Sequence, residues 1–130
     1  MFQKNIDFLV HLGMAALGGA VGATARYALG LIPIKTVFPW VTFFINLTGA
    51  LLIGFVTGII MGRKTINPNL VIFVKIGVCG GFTTFSTFSL EVLNLLEEDH
   101  LFTGVLYAVA SVCTCLLGVW VGRRLAGYCI

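Results

Sequence analysis

The chain has 130 residues, 58% of them hydrophobic and 10% charged, with a formal net charge of +3 at pH 7. Its mean hydropathy of +1.04 excludes an ordinary soluble domain and points to an integral membrane protein. No nucleic-acid partner is expected; membrane lipid is.

Apolar stretches run from about Ile6 to Ile32, Val37 to Met61, Leu70 to Leu96 and Leu101 to Val121, each near or above the ~20 residues of a spanning helix. They predict an all-α fold of four transmembrane helices, a single domain over residues 1–130. In the first, Lys4 and the small residues Ala23 to Ala25 imitate a secretory leader. Asp7 and His11 interrupt that run, and it is longer than a signal core, so a retained helix is expected. Arg26, near its end, is placed to snorkel and to anchor topology. The joint "IPIKTVFPW", with two prolines and Lys35, is a turn.

In the second helix Thr42, Asn46, Gly49 and Thr57 fall near one face. A primary amide such as Asn46 at mid-depth needs several partners or stays costly. After "GRKTINPN", Asn67 and Pro68 make a helix start, the first as cap and the second at a position needing no N–H. Lys75 is close enough to that start to snorkel.

"GGFTTFSTFS", from Gly80, lies mid-membrane, where broken backbone is tolerated only beside protein or a water-filled cavity. Gly80 and Gly81 permit conformations that other residues avoid, so a break is expected there, and freed carbonyls suit a small cation. Phe85 and Phe88 share a face, with Ser86 and Thr87 beside them. Packing is the ordinary use of such rings, but a ring met edge-on also attracts an anion weakly. Glu91 is expected to be structural, bonded to neighbours, and "EEDH" closes the helix in a turn.

The last helix carries Thr103, Tyr107, Ser111, Thr114, Gly118 and Gly122 in one stripe, and a polar pathway through Tyr107, Ser111 and Thr114 is the favoured reading. Gly18 and Gly22, Gly54, Gly58 and Gly62, and Gly118 and Gly122 are each spaced by four, ridges that let helices approach closely in lipid. They predict a compact bundle and a homodimer formed through small-residue faces. Cys79, Cys113, Cys115 and Cys129 show no ligand spacing, and Cys113 and Cys115 point about 200° apart. "GGAVGA" lacks the full dinucleotide fingerprint, and no enzyme chemistry is expected.

Three segments carry a family resemblance. "GGAVGATARY" (Gly18 to Tyr27), "FFINLTGALLIGF" around Asn46 and, most specifically, "GGFTTFSTF" resemble the CrcB, or Fluc, family of fluoride channels. The resemblance implies an antiparallel, dual-topology homodimer in the inner (plasma) membrane. It also implies two fluoride pores along the subunit interface and a structural sodium ion at the dimer centre. Phe85 and Phe88 would face fluoride, Asn46 would donate beside them, and Ser86, Thr87, Tyr107, Ser111 and Thr114 would continue a polar track. Arg26 would serve a vestibule, and Gly80 and Thr83 would supply backbone carbonyls to sodium. Passive export of fluoride, and resistance to its toxicity, is the implied function. The rival readings are a small proton-coupled multidrug exporter, which would need Glu91 as its proton carrier, and a noncatalytic membrane assembly subunit. Lys4, Arg63, Lys64, Arg123 and Arg124 on one side against Lys35 on the other predict cytoplasmic termini, a bias that dual topology does not anticipate.

Overall fold

The computed structural model describes residues 2–63 and 65–130, so Lys64, one of the charges in the topology count, lies outside the described residues. The described elements are helical throughout: α1 (Phe2–Gly30), α2 (Trp40–Gly62), α3 (Pro68–Val71), a π-helical stretch (Ile72–Cys79), α4 (Gly80–Phe82), α5 (Phe85–Glu97) and α6 (Leu101–Gly127). Among the described residues, four spans are long and apolar enough to cross a membrane: Lys4–Gly30, Trp40–Gly62, Pro68–Glu97 and Leu101–Gly127. The protein is a multi-pass membrane protein. The last helix extends beyond the apolar run through Arg123 and Arg124, and the Arg124 guanidinium lies 5.4 Å from the centre of the Trp120 ring, an attraction that favours a cation at the membrane edge.

The third span starts as its sequence dictates. Asn67 caps α3, its side chain accepting from the Asn69 N–H at 2.9 Å, and Pro68 follows at the first helical position. Wider π turns then carry the chain from Ile72 to Cys79. At the other end Asp99 takes φ 61°, the left-handed conformation that ends helices. His100 N–H then bonds back to Leu95 O at 2.9 Å.

The glycine ridges do not form a surface for a second subunit. They are consumed inside the chain. α1 packs on the third span, where a Cβ at Gly77 would lie 2.6 Å from Gly18 Cα and one at Gly22 would lie 2.7 Å from Phe82 N. α2 packs on α6 in the same way, a Cβ at Gly54 falling 2.8 Å from Val119 Cα and one at Gly122 falling 2.7 Å from Phe55 N. Without apolar drive in lipid, helices associate through such close backbone contact, and the four-residue spacing serves the subunit's own bundle. Between the pairs, Phe43, Leu95 and Tyr107 form the buried cluster, with Phe38, Leu47, Phe88, Val92 and Ala110 against it.

Candidate functional site: a break in the third span and the cavity beside it

The break falls at Thr83 (φ −80°, ψ 157°) and Thr84 (φ −146°, ψ 113°). The glycines expected to bend the chain do not. Gly80 is helical at φ −66°, ψ −39°, and no described glycine has positive φ. Gly81 serves by leaving room, since a Cβ there would meet Gly19 O at 2.6 Å, whereas one at Gly80 would meet nothing within 4 Å.

An extended pair of residues inside a span strands backbone groups, and side chains take up those of Thr84 and Thr87. Thr84 N–H donates to Asn46 Oδ1 at 2.8 Å, and Asn46 Nδ2 donates to Thr84 O at 3.2 Å. This two-point clasp answers the question of how Asn46 is satisfied at mid-depth, and one N–H of its amide remains for another acceptor. Thr84 Oγ1 caps α5 by accepting from Thr87 N–H at 3.2 Å, and it also donates to Thr87 Oγ1 at 3.0 Å. Arg26 Nε donates to Gly81 O at 3.2 Å. Arg26 is therefore tied to the break itself and not only to the helix end.

Diverting these donors has a consequence for two carbonyls. Gly80 O would accept from Thr84 N–H in an unbroken helix, and Thr83 O from Thr87 N–H. Both N–H groups are turned to side chains, so the two oxygens lose the donors an unbroken helix would give them.

Asn46, Gly80, Thr83, Phe85, Phe88 and Ser111 line one cavity of about 390 Å³. Ser111 is 5% exposed, and its Oγ has no hydrogen-bond partner among the described residues, a costly state unless another group comes to it. The Phe85 and Phe88 ring centres are 5.6 Å apart at 44°. Phe88 leans on Tyr107, 5.2 Å away, while Phe85 is 78% exposed on the subunit surface.

Other expected residues are not brought to this cavity. The Tyr107 side chain is fully buried, and its OH donates to Glu91 Oε2 at 2.7 Å while Thr42 Oγ1 donates to Glu91 Oε1 at 2.7 Å. Glu91 is thus held by neighbours on both flanking helices. Ser86 is exposed, 3.4 Å from Thr84 Oγ1, and Thr87 is occupied with the cap. Thr114 Oγ1 donates to Ala110 O at 2.7 Å, a bond within its own helix that consumes its only proton.

A family model described as "CrcB-like protein, Camphor Resistance (CrcB)" matches residues 13–123. The chain belongs to the CrcB-like family. It is 42% identical over 118 residues to a "Fluoride-specific ion channel FluC" of Rhizobium meliloti (strain 1021), covering 88% of this chain and 94% of the relative. Proteins with the same description from Ruminiclostridium cellulolyticum (40% over 121 residues, 91% and 93% covered) and Nitrobacter winogradskyi (44% over 100 residues, 75% and 79% covered) are also similar. The CrcB-like match spans the break, the Asn46 clasp and the cavity alike.

Sequence reasoning within this CrcB-like chain placed Thr42 on the polar face of the second helix but not its partner Glu91, and it missed Thr84 and Cys115 as site residues. Thr84 could have been found as the Thr preceding Phe85 with Thr87 three residues on, the usual spacing of a cap. Cys115 lines the cavity where Thr114 was expected. It is four residues after Ser111, as Ser111 is after Tyr107, so an i, i+4, i+8 reading of α6 points to it.

Proposed function

We propose that this protein is a fluoride-selective channel that lets the anion leave the cytoplasm passively, as a homodimer in the inner (plasma) membrane. The observation that carries the reading is the Ser111 hydroxyl, buried without a partner in a cavity that also holds the Asn46 amide and the two phenylalanine rings. These are uncharged donors and ring edges, which suit a small anion that exchanges its water for fixed donors and must leave again. Asn46 stands ready because its clasp on Thr84 fixes its orientation while leaving a free N–H. Selectivity against chloride follows from width and donor placement. The membrane potential supplies the drive, about 2.3 kcal/mol per elementary charge per 100 mV.

The homodimer is supported by the exposure of Phe85 and by a cavity that this chain leaves partly open. An antiparallel arrangement gives each of two pores one such wall. Tyr107, Ser86, Thr87 and Thr114 then act around the path, Tyr107 by holding Glu91 and the hydroxyls by bracing α5 and α6. Arg26 keeps its remaining N–H groups for anions approaching the break. A structural sodium ion suits the carbonyls of Gly80 and Thr83, whose helical donors are turned elsewhere, and when bound it would fix the broken spans of the two subunits to each other.

An exporter driven by protons would need a carboxylate that is free to load and unload, and Glu91 is held by two short hydrogen bonds. The assembly-subunit reading gives the unpartnered Ser111 no purpose. The test is efflux from liposomes containing purified protein. Rapid loss of fluoride with retention of chloride is expected; equal release of both, or of neither, would overturn the proposal.

A further inference from the structure

Cys115 is a cysteine that the conduction reading leaves without a task. It is half-buried on α6, carries no disulfide, and lines the cavity of about 390 Å³ together with Asn46, Phe85, Phe88 and Ser111. A second observation marks the same place as one where a ligand belongs. Ser111, one helical turn away, is 5% exposed, and its hydroxyl has no partner. Cys113 is exposed on a different face of α6, about 200° from Cys115, and Cys129 follows the end of α6. Cys79 lines the cavity too, but it is 3% exposed, walled in beneath the break.

We propose that Cys115 is a covalent modification site inside the conduction cavity, open to small thiol-reactive electrophiles, and that its modification closes the path. The inference rests on the channel reading and adds to it a means of chemical control. A thiol is a weaker donor than the hydroxyl of Ser111 and so contributes little to holding an anion. It is a stronger nucleophile once its proton is lost. With methyl methanethiosulfonate, Cys115 Sγ attacks the sulfenyl sulfur and a new S–S bond forms. The bond to the sulfonyl sulfur breaks, its electron pair leaves on methanesulfinate, and the thiol proton passes to water. The product carries a methylthio group in the cavity that Ser111 also lines, where it takes up space and offers no donor. A thiol reductant reverses the step by exchange.

The experiment uses the full-length protein in liposomes and compares the parent with Cys115→Ser, Cys79→Ser and Cys113→Ser, each treated sample being referred to its own untreated rate. Adduct position is read separately by peptide mass. In the parent, labelling at Cys115 should lower fluoride efflux by roughly tenfold or more, with recovery after dithiothreitol. Cys115→Ser should lose the effect, and Cys113→Ser and Cys79→Ser should keep it. Complete labelling at Cys115 with unchanged efflux would overturn the proposal while leaving the channel reading intact. So would a Cys115 that labels only after denaturation, or a block that survives in Cys115→Ser. An untreated parent that carries no fluoride is a failure of the channel reading, and it takes this proposal with it.

Discussion

Replacing Asn46 by aspartate isolates what the amide does, because the shapes match and only the donor and the charge change. The carboxylate still accepts from Thr84 N–H, the 2.8 Å half of the clasp, but it cannot donate to Thr84 O, the half measured at 3.2 Å. A buried carbonyl left without its donor costs about 1–3 kcal/mol. An anion held about 5 Å from the new charge would be repelled by about 3 kcal/mol at an effective dielectric of about 20. The repulsion alone, at 1.4 kcal/mol per decade, lowers fluoride flux by roughly a hundredfold. Flux is measured from liposomes at matched protein density, with assembly checked by size-exclusion chromatography. Leu52→Met, an exposed position on the same helix, serves as the silent control. Efflux within threefold of the parent in a well-assembled Asn46→Asp protein would refute the argument, because neither the lost donor nor the repulsion could then act on the conducted ion.

Gly22→Ala should reduce thermal stability in detergent by about 1–3 kcal/mol or more, since the added carbon meets backbone at Val78, Phe82 and Gly81; Gly19→Ala, whose Cβ would meet nothing within 4 Å, should melt like the parent. Phe85→Ile should impair fluoride efflux with little change in melting, the ring being largely exposed. Phe88→Ile should lose both, because its ring also packs on Tyr107, and a conducting Phe85→Ile protein would return that ring to a packing role. In crystals grown with a heavier monovalent cation, an anomalous peak is expected between the Gly80 and Thr83 carbonyls. Thr83→Ser should keep that peak, since the oxygen concerned belongs to the backbone, and an empty break in an active dimer would remove the sodium assignment.

Much of this was legible from local chemistry. Hydropathy alone defines the four spans, the Asn67–Pro68 pair sets the start of the third, and the "GGFTTFSTF" run locates a break to within a few residues. Each of these depends on neighbours a turn or less away, which is the range over which backbone sterics, capping and helical period act. The displacement of the break from Gly80 to Thr83 and Thr84 has a tertiary cause, because the donor that holds Thr84 open is Asn46, 38 residues earlier. Arg26 finds Gly81 across 55 residues, and Thr42 finds Glu91 across 49. No periodicity encodes such partners.

The glycine ridges divide in the same way. Their spacing by four determines that two backbones will meet closely, while the partner is decided by how the four spans are arranged, and here α1 takes the third span and α2 takes α6. Thr114 and Cys115 are the finest instance. At three and four residues beyond Ser111 both lie near its face, so sequence permits either. The packing of the spans decides between them: Thr114 bonds into its own helix, and Cys115 lines the cavity.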